Sequence, residues 1–236
     1  LTVNAGGTFT TTTAGNYTFG GSIVNNGTFN KASTGSTTLD ATMSISGSSS
    51  LTFNGNVTIS NDAVVTNSTT VIITAGVLNG SNAGSSWVNG PSSTLTYNSL
   101  TAPMAAGSFI ANGAGSTVNY NGAASQNVRE GAYHNLVLSS GTPKIIPDVS
   151  IAGNLTRTGV AITFTGTTVT FNGTSNANFT FSGSQSFPNV VINKPGASLT
   201  FVPSATTFTT TFASLTVASG TLNLGATNTA LTVQED

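Results

Sequence analysis

Polar and apolar residues alternate with a period of two along most of the chain, and the alternating segments are short. Examples are Met43-Ser44-Ile45 and Val57-Thr58-Ile59. This period is typical of β-strands that bury one face. Turn dipeptides such as Asn26-Gly27 and Asn121-Gly122 separate the segments. The pattern therefore predicts an all-β protein with many short strands.

One phrase of five residues returns four times: a hydroxyl residue, an aliphatic residue, a small polar residue, an aromatic residue and Asn. The copies begin at residues 50, 94, 117 and 168, so they lie about two, one and two turns of a coil of about 22 to 26 residues apart. A strand-and-turn unit repeated at this period predicts a parallel right-handed β-helix (β-solenoid). In that fold each coil buries its apolar face by stacking on the next coil.

An antiparallel β-sandwich is the alternative fold, because Asn-Gly between two strands is also a hairpin signal. Against it, a sandwich rarely reuses one phrase at multiples of one spacing. We expect a single β-solenoid domain over residues 1–236. An irregular coil or loop is expected around 101–115, where Ala and Gly are frequent and the alternation is lost.

The repeated phrase also predicts two columns of stacked side chains. The closing asparagines are expected to form a hydrogen-bonded ladder along the coil axis, and they are Asn54, Asn98, Asn121 and Asn172. The aromatic residues just before them share a strand face with the aliphatic residues, so they are expected to stack in the interior. These residues are Phe53, Tyr97, Tyr120 and Phe171.

Charged residues make up only 5% of the 236 residues, the net charge is −1, and there is no Cys. Soluble proteins average about 25% charged residues. The basic residues are scattered, which argues against nucleic-acid binding, and no apolar run is long enough for a membrane helix. A chain rich in Thr, Ser and Asn with so little charge predicts an extracellular or cell-surface bacterial protein.

Runs in the second half of the chain resemble a known family. They are Ser184–Asn193, Leu215–Gly225, and an earlier copy through Asn135 and Val149–Thr156. These runs resemble the repeats of very large surface proteins of Bacteroidota that are exported by type IX secretion. The resemblance covers roughly residues 115–233. It implies a β-solenoid repeat region of a secreted, adhesin-like protein.

The sequence offers few candidates for chemistry. Asp40 and Asp62 lie about one coil apart, and a polysaccharide-active enzyme would bring them, or Glu130 and Asp148, together in a groove. Turn positions explain the same Asp residues. His134 is the one histidine and has no cluster of potential ligands around it in the sequence. We therefore expect no enzymatic activity, no catalytic residue, no cofactor and no metal.

Two further features suggest binding. Trp87 is a candidate for stacking on a sugar, although a lone Trp is more often a core residue. Thr-x-Thr triplets occur in Thr8–Thr13 and Thr206–Thr211, as on ice-binding solenoid faces. An ice-binding face needs the triplet at the same place in successive coils. β-Propensity and solvent-facing hydroxyl groups explain these triplets equally well.

Strand-like sequence extends to both ends of the chain, without a polar capping segment. We expect the end residues to form an end-to-end interface through exposed strand edges, and these residues are Leu1, Thr2, Val3, Leu231, Thr232 and Val233. The expected function is an extracellular structural protein, either a self-assembling filament subunit or an adhesin segment. The expected partner is the chain itself, with surface glycans as a further candidate. An ice- or carbohydrate-binding module is the alternative.

Overall fold

The computed structural model describes residues 1–203, 208–224 and 229–234. Within these residues there is no helix, and parallel strands stack in about ten coils spaced about 22 residues apart. The prediction of a β-solenoid is therefore confirmed, and the antiparallel sandwich was wrong. The described part of the chain accordingly contains no helix that could cross a membrane. The chain divides into two compact units, Leu1–Asn119 and Tyr120–Asp236.

Three parallel sheets form the first unit. Their strand orders are β1-β4-β7-β10-β13-β15, β2-β5-β8-β11-β14 and β3-β6-β9-β12, and each of the first four coils contributes one strand to each sheet. The strands are β1 Thr2–Val3, β2 Thr8–Thr11, β3 Tyr17–Phe19, β4 Ile23–Asn25, β5 Thr28–Lys31, β6 Thr37–Leu39, β7 Met43–Ser46, β8 Leu51–Asn54, β9 Val57–Ile59, β10 Val64–Asn67, β11 Thr70–Ala75, β12 Leu78–Gly80, β13 Ser86–Asn89, β14 Thr94–Tyr97 and β15 Ser108–Ile110. The next strand, β16 (Thr117–Tyr120), contains the division between the units.

In the first unit, the strand register aligns similar side chains of successive coils. Val71 pairs with Leu51 on one side and Leu95 on the other, and Ile73 pairs with Phe53 and Tyr97. All of these side chains are buried. Burying one such side chain stabilises the fold by about 1.5 to 3 kcal/mol. Stacked coils gain this repeatedly, because each coil covers the apolar face of its neighbour.

The segment predicted to be irregular contains both turns and a regular strand. Met104 has a positive φ of 53° and a fully buried side chain, and its N–H donates to Leu78 O at 2.8 Å. From Ser108 the chain forms β15, which pairs in parallel with β13. The strand β15 therefore lies between two turns, one at 103–106 and one at 114–115.

The second unit contains a short sheet of order β17-β20-β23 and two ladders, β18-β21-β24-β26 and β19-β22-β25-β26, which join because β26 is long. β27 pairs with β26, and β28 pairs with β27. The strands are β17 Gln126–Asn127, β18 Gly131–Tyr133, β19 Asn135–Ser139, β20 Lys144–Ile146, β21 Val149–Ile151, β22 Leu155–Thr158, β23 Ile162–Phe164, β24 Thr168–Phe171, β25 Ala177–Phe181, β26 Gln185–Pro203, β27 Phe208–Asn223 and β28 Thr229–Val233.

Aromatic rings fill much of the interior of the second unit. Phe179 and Phe181 stack with ring centroids 4.6 Å apart, and Phe201 meets Phe179 edge-on at 5.4 Å. Phe212 continues the cluster 5.9 Å from Phe201. Pairs of this kind add about 0.5 to 1.5 kcal/mol beyond the burial of their area. The aromatic cluster therefore forms a large part of the apolar core of this unit.

Candidate functional site

The four asparagines that close the repeated phrase lie at turns and make different contacts. Asn54 Nδ2 donates to Ala32 O at 2.8 Å, and Asn121 Oδ1 accepts from Ser139 Oγ at 3.1 Å. Asn98 Oδ1 is buried without a hydrogen-bond partner, and the Asn172 backbone carbonyl accepts a lysine ammonium. Strand β11 lies between the strands that end beside Asn54 and Asn98, so these two amides do not meet.

Other asparagines do form hydrogen bonds along the coil axis. In each case Oδ1 accepts the backbone N–H of a residue about one coil further along the chain. Examples are Asn26 Oδ1 with Ser48 N at 3.0 Å and Asn135 Oδ1 with Asn154 N at 2.9 Å. Asn154 Oδ1 in turn accepts from Asn178 N at 2.8 Å. Asparagine at these turns satisfies backbone donors that the strand ladders leave free.

A buried pair of asparagines lies at one turn of the first unit. Asn67 Nδ2 donates to Asn89 Oδ1 at 3.3 Å, and both side chains are fully buried. Asn89 Oδ1 also accepts the indole N–H of Trp87 at 2.9 Å. Trp87 is fully buried, so it is a core residue and cannot stack on a sugar. Sequence reasoning missed this amide pair, although both residues end strands that are 22 positions apart.

The four aromatic residues of the repeated phrase are all buried. They have different neighbours, however. The Phe53 ring lies 5.2 Å from Phe29, and Tyr120 Oη lies 2.9 Å from Tyr133 Oη. Phe171 lies 6.1 Å from Phe179. Because Ile73 lies between Phe53 and Tyr97 in register, those two rings do not stack directly.

Three lysines are fully buried, which the sequence did not suggest because lysine is almost always exposed. Lys31 Nζ donates to the carbonyl oxygens of Ser33, Gly35 and Asn54. Lys31 is also paired in register with Phe53, so it occupies an inward position. Burial lowers its pKa. The ammonium thus satisfies carbonyl groups that the turn directs inward.

The other two buried lysines serve equivalent turns in the second unit. Lys144 Nζ donates to Gly122 O at 2.9 Å and Gln126 Oε1 at 2.7 Å. Lys194 Nζ donates to Ala152 O at 2.8 Å and Asn172 O at 2.6 Å. Burial lowers both pKa values, that of Lys144 to about 8. All three ammonium groups therefore bind the backbone at or beside the Asn that closes a copy of the phrase.

Arg157 is a fourth nearly buried cation, with 9% of its surface exposed. It pairs in register with Leu138, which is an inward position. Its Nε–H donates to Val160 O, whereas Nη1 is buried without a hydrogen-bond partner. Burial lowers its pKa. Unlike the lysines, this cation is only partly satisfied by the protein.

The two carboxylates of the first unit have separate hydrogen-bond partners. Asp40 Oδ1 accepts from Ser60 Oγ at 2.5 Å, and Asp62 Oδ1 accepts from Asn82 Nδ2 at 3.2 Å. Each Asp therefore bonds to a neutral side chain in the next coil. The turn interpretation of these residues agrees with these contacts.

Glu130 and Asp148 line one open groove of about 380 Å³ in the second unit. Asp148 Oδ1 already accepts the backbone N–H groups of Thr167 at 2.6 Å and Thr168 at 2.8 Å. His134 is half-buried, and burial together with the charge of Lys194 lowers its pKa. Among the described residues, no group of three or more His, Cys, Asp or Glu is arranged to hold a metal ion.

The predicted end residues lie at the first and last strands. Leu1 and Thr2 are exposed, with Leu1 at 46%, and Val3 is buried. Thr232 and Val233 are exposed on β28, and Leu231 pairs through its backbone with Thr210. Thr206 and Thr207 of the second threonine run lie outside the described residues.

No protein-family model, curated protein or solved structure matches the chain. The resemblance to Bacteroidota surface proteins therefore stays a prediction.

Proposed function

We propose that this chain is an extracellular structural β-solenoid whose copies associate end to end by strand pairing, as a filament subunit or a segment of a surface adhesin. The observation that carries the proposal is the continuous parallel strand pairing along the coil axis. Among the described residues, β1, β2 and β3 stand at the ends of their sheets and pair on one side only. A strand of another copy would extend these ladders on the other side.

This edge lacks the features by which proteins usually prevent strand addition. Edge strands are commonly blocked by Lys, Pro or a bulge, but β1, β2 and β3 contain no charged residue and no Pro. The rings of Phe9 and Phe19 are half-buried and contact Phe29 at 4.9 and 6.1 Å. An added coil would bury the remaining apolar surface of these rings.

The strand β28, at the other end of the strand order, would be the matching partner in another copy. It pairs with β27, contains no charged residue, and leaves Val233 43% exposed. Pairing between β28 of one copy and the first coil of another is a head-to-tail contact. Contacts of this type propagate into open filaments when the rotation between copies does not close a ring.

The outward side chains support an extracellular location. Hydroxyl and amide groups dominate the exposed strand positions, and only 5% of all residues are charged. Three of the five basic residues are fully buried and hold the backbone in place. The proposed mechanism is therefore continuous hydrogen bonding along the coil axis beneath a nearly neutral surface.

A proline at the open edge tests the proposal. Thr28 N donates to Gly7 O across the β2–β5 ladder. Because successive residues of a strand direct their N–H groups to opposite sides, the N–H of Thr10 is directed to the open edge. The substitution Thr10→Pro removes that donor without breaking the ladder to β5. Thr10→Val is the matched control, because it keeps the N–H group.

The measurement is sedimentation velocity with negative-stain electron microscopy over a concentration series. We expect wild type and Thr10→Val to form filaments at high concentration, and Thr10→Pro to remain as short particles. Isolated wild-type particles at every concentration would refute the proposal. Equal polymerisation of Thr10→Pro would show that the contact lies elsewhere.

A second candidate function, ice binding, is favoured by one column on the first unit. Outward residues of five successive coils lie in register, and they are Thr10, Asn30, Thr52, Ile72 and Thr96. Neighbouring members of such a column are about 4.8 Å apart. Inhibition of ice recrystallisation by the wild-type protein that is lost in Thr52→Tyr but kept in Ser44→Tyr, on a different sheet, would support it. A wild-type face without this activity would exclude it.

A further inference from the structure

We propose that a cavity beside Arg157 in the second unit is a binding site for the carboxylate group of an acidic sugar such as a uronate. This inference does not depend on association between copies. It rests on an interruption in the strand ladder, on the partly satisfied cation next to that interruption, and on the polar and aromatic groups that line it.

The interruption lies where the short sheet of the second unit ends. β17, β20 and β23 pair in order, and β23 is the last strand of that sheet. In the following coil, Gln185, Ser186 and Phe187 pair with residues 210–212 of β27 on one side, and no strand pairing joins them to β23 on the other. The backbone of β23 is therefore not continued on that side. A cavity of about 560 Å³ opens at this place.

The size of the cavity fits a small molecule or a single sugar unit. Ligand sites typically enclose about 300 to 1,000 Å³. An interrupted ladder also leaves backbone N–H and C=O groups without the partners that a continuous solenoid provides. At this cavity the regular pairing of strands in successive coils is therefore interrupted.

Arg157 forms part of the cavity wall and is the charged group there. The residue is nine-tenths buried, its Nε–H donates to Val160 O, and Nη1 is enclosed in the wall without a hydrogen-bond partner. A buried charge that is only partly hydrogen-bonded is unfavourable. The carboxylate of Asp148 accepts two backbone N–H groups rather than the guanidinium of Arg157. The guanidinium is a rigid planar fork whose geometry matches a carboxylate.

The other walls fit a sugar ring that bears the carboxylate. Phe164 and Phe187 lie with their ring centroids 5.2 Å apart and provide an aromatic surface. Ser184, Gln185 and Ser186 provide hydroxyl and amide groups at the same cavity. A sugar ring has apolar C–H faces and hydroxyl edges, so it uses both kinds of wall. Ser184 Oγ accepts the Thr209 N–H at 3.0 Å and Gln185 Nε2 donates to Ser186 O at 2.7 Å, and the remaining hydrogen-bonding capacity of these groups is open to the hydroxyl groups of a sugar.

The chain allows a direct spectroscopic test, because it contains two arginines, Arg129 and Arg157. Two-dimensional ¹H–¹⁵N spectra of the folded full chain resolve their Nε–Hε signals, and Arg157→Lys and Arg129→Lys assign them. The probes are glucuronate, glucose as the neutral sugar, and acetate as the carboxylate without a ring. Each probe is added to about 10 mM, where even a weak single-site complex is populated.

We expect glucuronate to shift the Arg157 signal in a saturable way, with an affinity at least about tenfold higher than those of glucose and acetate. Arg157→Gln should abolish saturable binding. Binding to this variant is monitored through the backbone amide signals of β23 and β26. Arg129→Gln is the matched control and should bind as wild type does.

A second variant keeps the proposal testable if Arg157→Gln does not fold. Gln185 lies at the cavity and is partly exposed, so Gln185→Glu places a negative charge there without disturbing the core. It should weaken glucuronate binding at least about threefold and leave glucose unaffected. Absence of saturation in wild type, or equal binding by Arg157→Gln, would overturn the site. Equal affinity for acetate and glucuronate would overturn the assignment to a sugar.

Discussion

The buried lysines predict an unusual dependence of stability on pH. Lys144 is fully buried, and its pKa is lowered from 10.5 to about 8 by burial. In the unfolded chain the amine keeps its usual pKa and therefore binds more protons than the folded protein between these two values. The free energy of unfolding must then rise with pH in this window. The contribution of Lys144 is fully present above about pH 10.5 and is lost as the pH falls through about 8.

The size of the effect follows from the pKa change. At about 1.4 kcal/mol for each pKa unit, the whole shift corresponds to about 3 kcal/mol. Between pH 7 and pH 9.5 the expected gain is about 2 kcal/mol or less. The substitution Lys144→Met removes the titrating group. It also removes the donor to Gly122 O and Gln126 Oε1, which costs about 1 to 3 kcal/mol at every pH.

The assay is equilibrium urea unfolding followed by far-ultraviolet circular dichroism at pH 7 and pH 9.5. Wild type should gain stability relative to Lys144→Met by about 2 kcal/mol between these conditions. Ile146→Met is the control, because Ile146 is buried on the same strand and carries no charge. Its difference from wild type should not change with pH. A Lys144→Met difference that is also independent of pH would refute the lowered pKa.

Two further outcomes are expected. Gly35→Ala should destabilise the first unit by more than about 2 kcal/mol, because a Cβ there would lie 2.2 Å from Gly15 O, whereas Gly20→Ala, with no atom within 4 Å, should be nearly neutral in thermal unfolding. Burial and the neighbouring Tyr120 raise the pKa of Tyr133 well above 10, so Tyr133 contributes stability that is present below pH 10 and lost as the pH rises through its folded value. Tyr133→Phe should therefore be about 1 kcal/mol less stable than wild type at pH 7 and lose less stability in alkaline unfolding, and an equal alkaline loss would contradict this assignment.

The coil architecture could be predicted because it depends on a periodic pattern. The copies of the phrase that contain Leu51 and Leu95 lie two coils apart, and the structure places Val71 between them in register. The same spacing argued against a direct contact between Asn54 and Asn98. Two coils correspond to about 10 Å, which is too far for one hydrogen bond. A direct contact needs consecutive coils, and the copies of the phrase that end at Asn54 and Asn98 are not in consecutive coils.

The buried cations could not be predicted, because burial of lysine depends on where turn carbonyls point. Lys31 has Phe29 two positions before it, and alternation alone places it inward. Its charge favours the opposite assignment. The carbonyl groups of Gly35 and Asn54 point inward and accept the ammonium group, which makes the inward position of Lys31 favourable. The direction of these carbonyl groups is set by the backbone conformation of the turn. The cavity beside Arg157 depends likewise on a missing strand pairing, which no local sequence pattern reports.

The direction of the side-chain amide bonds has a consequence for chemical ageing. Asn followed by Gly is prone to deamidation, which converts the amide into a carboxylate. Asn26 precedes Gly27 and uses Oδ1 to accept the N–H of Ser48, a role that a carboxylate also fulfils. Asn54 precedes Gly55 and donates through Nδ2 to Ala32 O. A carboxylate has no hydrogen to donate, so damage at Asn54 would replace an attraction between coils with repulsion, while damage at Asn26 would leave the coils joined.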